Sequence, residues 1–264
     1  GGTFTETPKI NTTYYLSTDN MIVHETDVTT LREYVGSIAA PASHAPEDKP
    51  YLTFSSPNSF TLKVSDVTKH WDGTLEYSTD ASTWSTWDGT TMLSSATSGS
   101  DNVLYLRGTG NTKIGYHGEN MQELTAWLIN GANVRCDGNI ENLLDYATVK
   151  AGQHPTMAEG CFFGLFMECA ALITPPELPA TTLAPDCYSG MFALCTSLTQ
   201  APALSATTLA KNCYQYMFQN CTGLTQAPAL PATTLTEGCY YGMFEGCTAL
   251  TQAPALPATT LSDS

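Results

Sequence analysis

The C-terminal half of the chain is built from a 26-residue unit that repeats without a change of period. Residues 198–223 (LTQAPALSATTLAKNCYQYMFQNCTG) and residues 224–249 (LTQAPALPATTLTEGCYYGMFEGCTA) are identical at 17 of 26 positions. The unit also covers residues 172–197, is partly recognisable in residues 155–171, and begins again at Leu250. A unit this short cannot bury its own apolar side chains, so the copies are expected to stack and share one core.

The second half of each unit has apolar residues at intervals of four. In one copy these residues are Leu209, Cys213, Met217 and Cys221. This spacing lines one face of a helix, and it predicts a helix of about three turns. Thr234 followed by Glu237 matches a capping box at the helix start, and Gly246 or Asn220 suits the left-handed residue at its end.

The first half of each unit, LTQAPAL, predicts a strand. Proline cannot donate to a β-ladder, so Pro202, Pro228 and Pro254 should interrupt regular pairing and leave the strand short or bulged. One strand and one helix in each unit predict an α/β solenoid.

The region before the repeats has the pattern of an antiparallel β-sandwich. Between Tyr51 and Lys113 the runs YLTF, FTLKV, LEYS and VLYLRG are short and rich in β-branched and aromatic residues, and turn-forming clusters separate them. Trp127–Tyr146 predicts a strand, a turn and a short helix that cap the solenoid. Near the N-terminus, a strand is predicted around Thr13–Leu16 and a short helix at Asp27–Tyr34.

These patterns divide the chain into four parts. The first is an N-terminal extension and linker, the second is the β-sandwich, the third is a transition and cap, and the fourth is the solenoid. Their predicted bounds are residues 1–50, 51–118, 119–145 and 146–264.

One turn of the sandwich region resembles an Asp-box. Residues 78–84, STDASTW, match S-x-D-x-G-x-T-W except that Ser82 replaces the glycine. In such a hairpin the aspartate accepts hydrogen bonds from turn amides and the tryptophan packs beneath it. The resemblance therefore implies a stabilised turn, with Asp80 and Trp84 in structural roles.

The repeats resemble the BspA-like leucine-rich repeats of bacterial surface proteins over residues 138–264. The resemblance lies in the sequence pattern L-T-x-x-P-x-L-P…F-x-x-C-T-x-L. The preceding β domain is also similar to domains found before such repeats. The resemblance implies an extracellular or cell-surface protein, including one lipid-anchored at an outer membrane, that adheres to protein or glycan partners on host or microbial surfaces. Any membrane attachment would then come from an anchor outside this sequence.

Eight of the nine cysteines form two columns at the repeat period. The columns are Cys161, Cys187, Cys213, Cys239 and Cys169, Cys195, Cys221, Cys247. Helical residues eight apart are about 12 Å apart, and neighbouring helices lie about 8–10 Å apart, whereas a disulfide needs a Cα separation of about 5.5 Å. With no C-x-x-C motif for a metal, buried free thiols are expected.

Catalytic and metal-binding patterns are weak. The histidines are scattered and lie outside the regular repeats, and no G-x-S-x-G motif occurs. The five histidines are His24, His44, His70, His117 and His154. Four aspartates lie in predicted turns, where their carboxylates could bind a calcium ion, but turn formation is the favoured interpretation. They are Asp72, Asp80, Asp88 and Asp101. We therefore expect no enzyme, no cofactor and no metal.

Composition narrows the class of partner. Lys plus Arg total 10 against 25 Asp plus Glu, for a net charge of −15, so nucleic-acid phosphate would be repelled. Only 13% of residues are charged, so Thr, Ser and other uncharged groups dominate the polar surface. The longest apolar runs are too short for a transmembrane helix.

Two sets of residues are candidates for ligand contact. The sandwich offers Trp71 and Trp87 as platforms for sugar rings, although core packing is the favoured role of these tryptophans. The repeats offer two polar columns, made of Thr199, Thr225, Thr251 and Gln200, Gln226, Gln252.

The sequence is compatible with three non-catalytic functions. The leading one is non-catalytic adhesion through the repeats. Glycan binding through the tryptophans is the first alternative, and a structural spacer or scaffold is the second. An enzyme is a further hypothesis. If the chain were a glycosidase fragment, it would need two carboxyl groups about 5–10 Å apart in one cleft.

Overall fold

The computed structural model describes residues 49–65, 71–115 and 124–260, and the backbone of two short strands before them. These strands, Tyr14–Leu16 (β1) and Ile22–His24 (β2), pair antiparallel. They confirm the strand predicted around Thr13–Leu16, whereas the helix predicted at Asp27–Tyr34 lies outside the described residues. The chain divides into two compact units, Gly1–Glu47 and Asp48–Ser264.

The second unit is rich in β-structure, as the sequence predicts. Its elements are β3 (Leu52–Ser56), β4 (Thr61–Val64), β5 (Thr74–Ser78), β6 (Ser85–Trp87), β7 (Leu93–Ser94), β8 (Ala96–Ser98), β9 (Asp101–Thr109), β10 (Trp127–Asn130), β11 (Val134–Asp137), helix α1 (Asn142–Lys150) and β12 (Leu172–Thr174). The larger sheet has the order β12-β11-β3-β9-β5-β6, with β8 also paired to β9, and the smaller sheet has the order β10-β4-β7. Parallel pairing occurs between β11 and β12.

The inner faces of the two sheets meet in an aromatic core. Phe54 from β3 lies 6.4 Å from Trp127 of β10 between ring centroids, and Trp87 from β6 lies 5.6 Å from Trp127. Phe166, from the first repeat, packs against both Phe54 and Trp127. The core of the sheet region (residues 51–137) is therefore continuous with that of the repeats.

The segment Trp127–Tyr146 forms the predicted strand, turn and short helix, and the helix continues to Lys150. Its two strands do not form a separate layer. Strand β10 pairs with β4 and β11 pairs with β3, so each strand completes one of the two sheets.

The helix predicted for each repeat is wrong. Within residues 151–260 the structure contains no helix, and the four-residue spacing arises from a run of tight turns. We call residues 158–169, 184–195, 210–221 and 236–247 the turn segments. In the third segment the N–H groups of Cys213, Met217 and Cys221 donate to the carbonyls three residues earlier, at 3.0–3.3 Å.

Every fourth residue of a turn segment has a left-handed backbone. Asn212, Tyr216 and Asn220 have φ of 53°, 53° and 57°. Each occupies the third position of a turn closed by an i to i+3 hydrogen bond, where a type II turn requires positive φ. A helix is excluded because it requires negative φ throughout.

Hydrogen bonds join each turn segment to the next one. Five alternate amides donate to carbonyls 25 residues later, as from Tyr188 to Cys213 and from Tyr214 to Cys239, and all of these N···O distances lie between 2.7 and 3.0 Å. Two aromatic columns run alongside, with centroids 5.7–5.8 Å apart and ring planes within 14° of parallel. They are Phe162–Tyr188–Tyr214–Tyr240 and Phe166–Phe192–Phe218–Phe244.

In the proline-containing half of each unit, β-ladder pairing between units is interrupted, as the prolines predict. Only the first copy forms a strand, β12, which ends immediately before Pro175. The later described copies make isolated parallel bridges, such as Leu178 to Leu204 and Thr182 to Thr208. The missing proline donors explain why a continuous ladder does not form here.

Candidate interaction surfaces

The predicted polar columns lie on the surface of the repeats. All six side chains, Thr199, Gln200, Thr225, Gln226, Thr251 and Gln252, are exposed. Each pair follows a leucine that is buried in the earlier copies, such as Leu198 and Leu224. The buried leucine fixes the backbone, so the same two polar groups recur once per unit in one orientation.

A proline-rich groove adjoins the first of these columns. Its cavity of about 410 Å³ is lined by residues 174–179 of one unit and by Gln200–Ala203 and Ser205 of the next. The lining includes four prolines and two alanines, and its polar groups include the amide of Gln200 and the carboxylate of Glu177. The groove therefore offers apolar surface with a hydrogen-bonding group beside it.

Trp87 is not available as an open ligand platform. Its side chain is 2% exposed, and its indole N–H donates to the Thr91 carbonyl at 2.8 Å. Trp71 is half-buried and packs 5.2 Å from Trp87 between ring centroids. Trp87 therefore belongs to the core, and the sequence-based proposal that it could bind a ligand is corrected.

The turn aspartates have structural partners. Asp80 accepts hydrogen bonds from the amides of Ser82 and Thr83 at 2.8 and 2.7 Å, as the Asp-box resemblance implies. These amides hold the pKa of Asp80 well below its usual range. Asp88 makes the same kind of turn, and the amide of Thr91, with further bonds from Thr90, lowers its pKa to about 2.

The two remaining calcium candidates are also engaged. Asp72 accepts hydrogen bonds from the amide and hydroxyl of Thr112 at 2.8 and 2.6 Å, and Asp101 forms an ion pair with Arg135 at 2.7 Å. Hydrogen bonds within the protein and one ion pair thus give each of the four carboxylates a structural role. Among the described residues, no group of three or more His, Cys, Asp or Glu side chains is placed to hold a metal ion.

An aromatic cluster on the outer face of the larger sheet was not anticipated. The guanidinium of Arg107 lies between two rings, 4.0 Å from the centroid of Trp84 and 4.4 Å from that of Tyr146. Tyr51 packs 5.5 Å from Trp84 and 5.2 Å from Tyr105. We call these five residues the outer-face cluster; all of them are partly exposed.

All nine cysteines are buried, as predicted, and none forms a disulfide. In the second column the thiol of Cys169 donates to the Trp127 carbonyl, and the later thiols donate to a carbonyl of the preceding unit, as from Cys221 to Phe192 at 3.0 Å and from Cys247 to Phe218 at 2.9 Å. Burial raises the pKa of Cys221 to about 12. A protonated thiol is a poor nucleophile and a poor metal ligand, so these cysteines have a packing role.

The described residues bring one histidine close to a carboxylate. His154 Nδ1 lies 2.8 Å from a carboxylate oxygen of Glu141, whose side chain is only 1% exposed. Burial raises the pKa of Glu141. The pair borders a cavity of about 330 Å³, in which Glu141 is the one acidic side chain among the described lining residues. The paired carboxyl groups of a glycosidase are not assembled there.

Comparison with protein-family models, with curated proteins and with solved structures finds no match for this chain. Helix α1, with nine residues, is the one helix among the described residues, and it is too short to cross a bilayer.

Proposed function

We propose that this chain is a non-catalytic binding protein, secreted or held at a cell surface, in which a β-sandwich carries a leucine-rich-repeat solenoid. The solenoid would adhere to protein partners on host or microbial surfaces. The observation that carries the proposal is the regular display of Thr and Gln side chains on a rigid stacked core. The likeness of the repeats to BspA-like sequences supports the same role and the same location.

A repeated display suits binding by many weak contacts. The backbone hydrogen bonds and stacked rings hold successive units at one spacing, so Thr225 and Gln226 present the same groups as Thr199 and Gln200 one unit later. A partner with a matching repeat could engage several units at once, which multiplies weak single contacts. The proline groove beside Gln200 would add apolar contact.

The test is binding of the whole chain to immobilised host extracellular-matrix proteins and to bacterial cells. The variant changes all six column residues to alanine. A matched control changes Thr181, Thr207 and Thr233 to alanine, because these exposed threonines recur at the same period elsewhere on the units. Loss of binding in the column variant alone supports the proposal, whereas equal binding by both variants refutes a role for the columns.

Glycan binding is a second candidate, and the outer-face cluster favours it. Partly exposed Tyr and Trp rings provide a stacking surface for a sugar. Arg107 donates from Nε to Glu76 at 2.8 Å, and its remaining guanidinium N–H groups are the hydrogen-bond donors of the cluster. A glycan array comparing Trp84→Ala with Trp71→Ala would separate the two tryptophans. Retained glycan binding in Trp84→Ala would exclude this cluster as the site.

A further inference from the structure

The cavity beside Glu141 and His154 lies where helix α1 meets the repeats. Its volume of about 330 Å³ is at the lower end of the range for small-molecule sites. It shares no lining residue with the polar columns, the proline groove or the outer-face cluster, so it is a separate candidate site. The lining consists of Glu141, His154, Pro155, Met157 and residues 180–184.

A buried carboxylate orients the histidine of this cavity. His154 Nδ1 lies 2.8 and 3.0 Å from the two carboxylate oxygens of Glu141, and only 1% of the Glu141 side chain is exposed. Because the carboxylate accepts the Nδ1 proton, Nε2 is the ring nitrogen that can bond elsewhere. Nε2 has no partner among the described residues, and about half of the His154 side chain is exposed. His154 can therefore offer Nε2 to a ligand.

Two threonine hydroxyls also line the cavity. Thr181 and Thr182 are exposed, and neither hydroxyl has a hydrogen-bond partner in the part of the chain that the structure describes. Their backbone is held in place, because the Thr181 carbonyl accepts hydrogen bonds from the amides of Thr207 and Thr208 at 3.1 and 3.2 Å. A hydroxyl both donates and accepts, so the cavity presents three polar groups to a ligand. These groups are Nε2 and the two hydroxyls.

The rest of the lining is apolar. Leu183 belongs to the hydrophobic core, and Met157 packs against that core. Pro155, Ala180 and Ala184 complete the lining. Apolar contact surface with a few convergent polar groups is the usual composition of a ligand site.

Charge separates the classes of ligand that could enter. An anion would lie beside the buried carboxylate of Glu141, and the described lining residues include no Lys or Arg to offset the repulsion. An ammonium group would have to displace His154 to reach that carboxylate, because both oxygens lie within 3.0 Å of Nδ1. A neutral molecule with several hydroxyl groups meets neither difficulty.

We propose that this cavity binds one neutral sugar residue in its pyranose form. A pyranose has hydroxyl groups around its edge and C–H groups on its faces. It can therefore contact Nε2 of His154, the threonine hydroxyls and the apolar side chains of Met157 and Leu183 together. The sugar is either a free monosaccharide or the terminal residue of a glycan, since both present the same ring.

The test is saturation-transfer difference NMR of the whole chain with sugars in free solution. The neutral probes are glucose, galactose and mannose, and a ring of about twelve heavy atoms should bind with a Kd of about 1–10 mM. We expect at least one of them to bind and to shift the His154 ring signal, which is identified by its absence from His154→Gln. The amino and uronic acid derivatives of that sugar should bind about fivefold more weakly or worse.

Methyl glycosides of the same sugars separate the two sources of the ring. Binding of a methyl glycoside shows that the end of a glycan can enter the cavity. Binding of the free sugar alone assigns the cavity to monosaccharides. Either result supports a sugar site.

Paired valine substitutions test the threonines without changing their shape. Thr181→Val with Thr182→Val removes both hydroxyls and keeps the backbone hydrogen bonds, and it should weaken sugar binding about fivefold or more. The matched control is Thr207→Val with Thr208→Val, which makes the same change one unit later, outside the cavity lining, and should bind sugar as the wild type does. Trp84→Ala and the six-residue column variant should also leave sugar binding unchanged, so this site and the proposed function can fail separately.

Any of three results overturns the proposal. The first is that no neutral sugar shifts the His154 signal. The second is that a charged derivative binds as tightly as its neutral parent. The third is that the Thr181 and Thr182 variant binds sugar as tightly as its matched control.

Discussion

Replacing Gly190 by alanine distinguishes a turn ladder from a helix by the sign of its effect. Gly190 lies in the middle of the second turn segment with φ of 60°, and the equivalent residues Gly164 and Gly242 have φ of 58° and 60°. In a helix, alanine would be more stable than glycine by about 1 kcal/mol. In the left-handed conformation an L-residue costs about 1–2 kcal/mol.

The expected magnitude follows from three contributions. Restricting the unfolded chain returns about 0.4–1 kcal/mol, which offsets part of the left-handed cost. The added methyl group would lie 3.1 Å from Met167 Cε, the end of a flexible side chain that can move by a few tenths of an ångström. The net loss in the free energy of unfolding is therefore about 1 kcal/mol. For a domain of this size it lowers Tm by about 2–4 °C.

The assay is thermal unfolding followed by far-ultraviolet circular dichroism, with the wild-type chain and Gly99→Ala alongside. Gly99 has φ of 63° and nothing within 4 Å of the added methyl group, so it reports the backbone cost alone. We expect both variants to melt below the wild-type chain. A rise in Tm for Gly190→Ala, with a gain of helical signal, would refute the turn ladder.

Three further predictions concern buried and turn residues. Asp80→Asn should lower Tm at pH 7, and its difference from wild type should shrink below about pH 4, because a depressed carboxyl pKa stabilises the fold only while the group is ionised; thermal melts from pH 2 to 7 check this. Cys221→Ala should cost about 1–2 kcal/mol in chemical unfolding, since a buried side chain and its thiol hydrogen bond are lost. Thiol titration should be slow in the native protein and should find all nine cysteines in denatured, non-reduced protein.

The strands could be predicted because their signal is local. In β9 the side chains of Leu104 and Leu106 are buried while those of Tyr105 and Arg107 reach the outer face. This alternation is visible in VLYLRG and has the period of a strand.

The turn segments could not be assigned from apolar spacing, because a period of four fits both a helix and a series of tight turns. The deciding signal lies in other residues of the same unit. Gly238, Gly242 and Gly246 recur every four positions, and each would cost a helix about 1 kcal/mol relative to alanine. In the turn ladder they occupy the left-handed positions and incur no such steric cost.

The outer-face cluster had no comparable signal in the sequence. Trp84 lies in a hairpin turn, Arg107 in the longest strand and Tyr146 in helix α1, so the contact exists only after the sheet and helix have packed. The burial of Trp87 confirms the favoured role in core packing, and the alternative role as a ligand platform failed for a related reason. Sequence proximity grouped it with Trp71 and Trp84, whereas strand alternation turns it into the core.

The direction of the ladder also bears on the acidic composition. At each described junction the amides donate toward the later unit, so the peptide dipoles add up with their positive end on the C-terminal side, as at the N-terminus of a helix. Negative side chains stabilise the positive end of a dipole, and Glu237 and Glu245 lie in the turn segment of residues 236–247. From residue 161 onward Lys211 is the one basic residue, and its ammonium pairs with Glu237 at 2.9 Å. A ladder whose amides all point toward its later units is therefore better matched by acidic than by basic residues in those units.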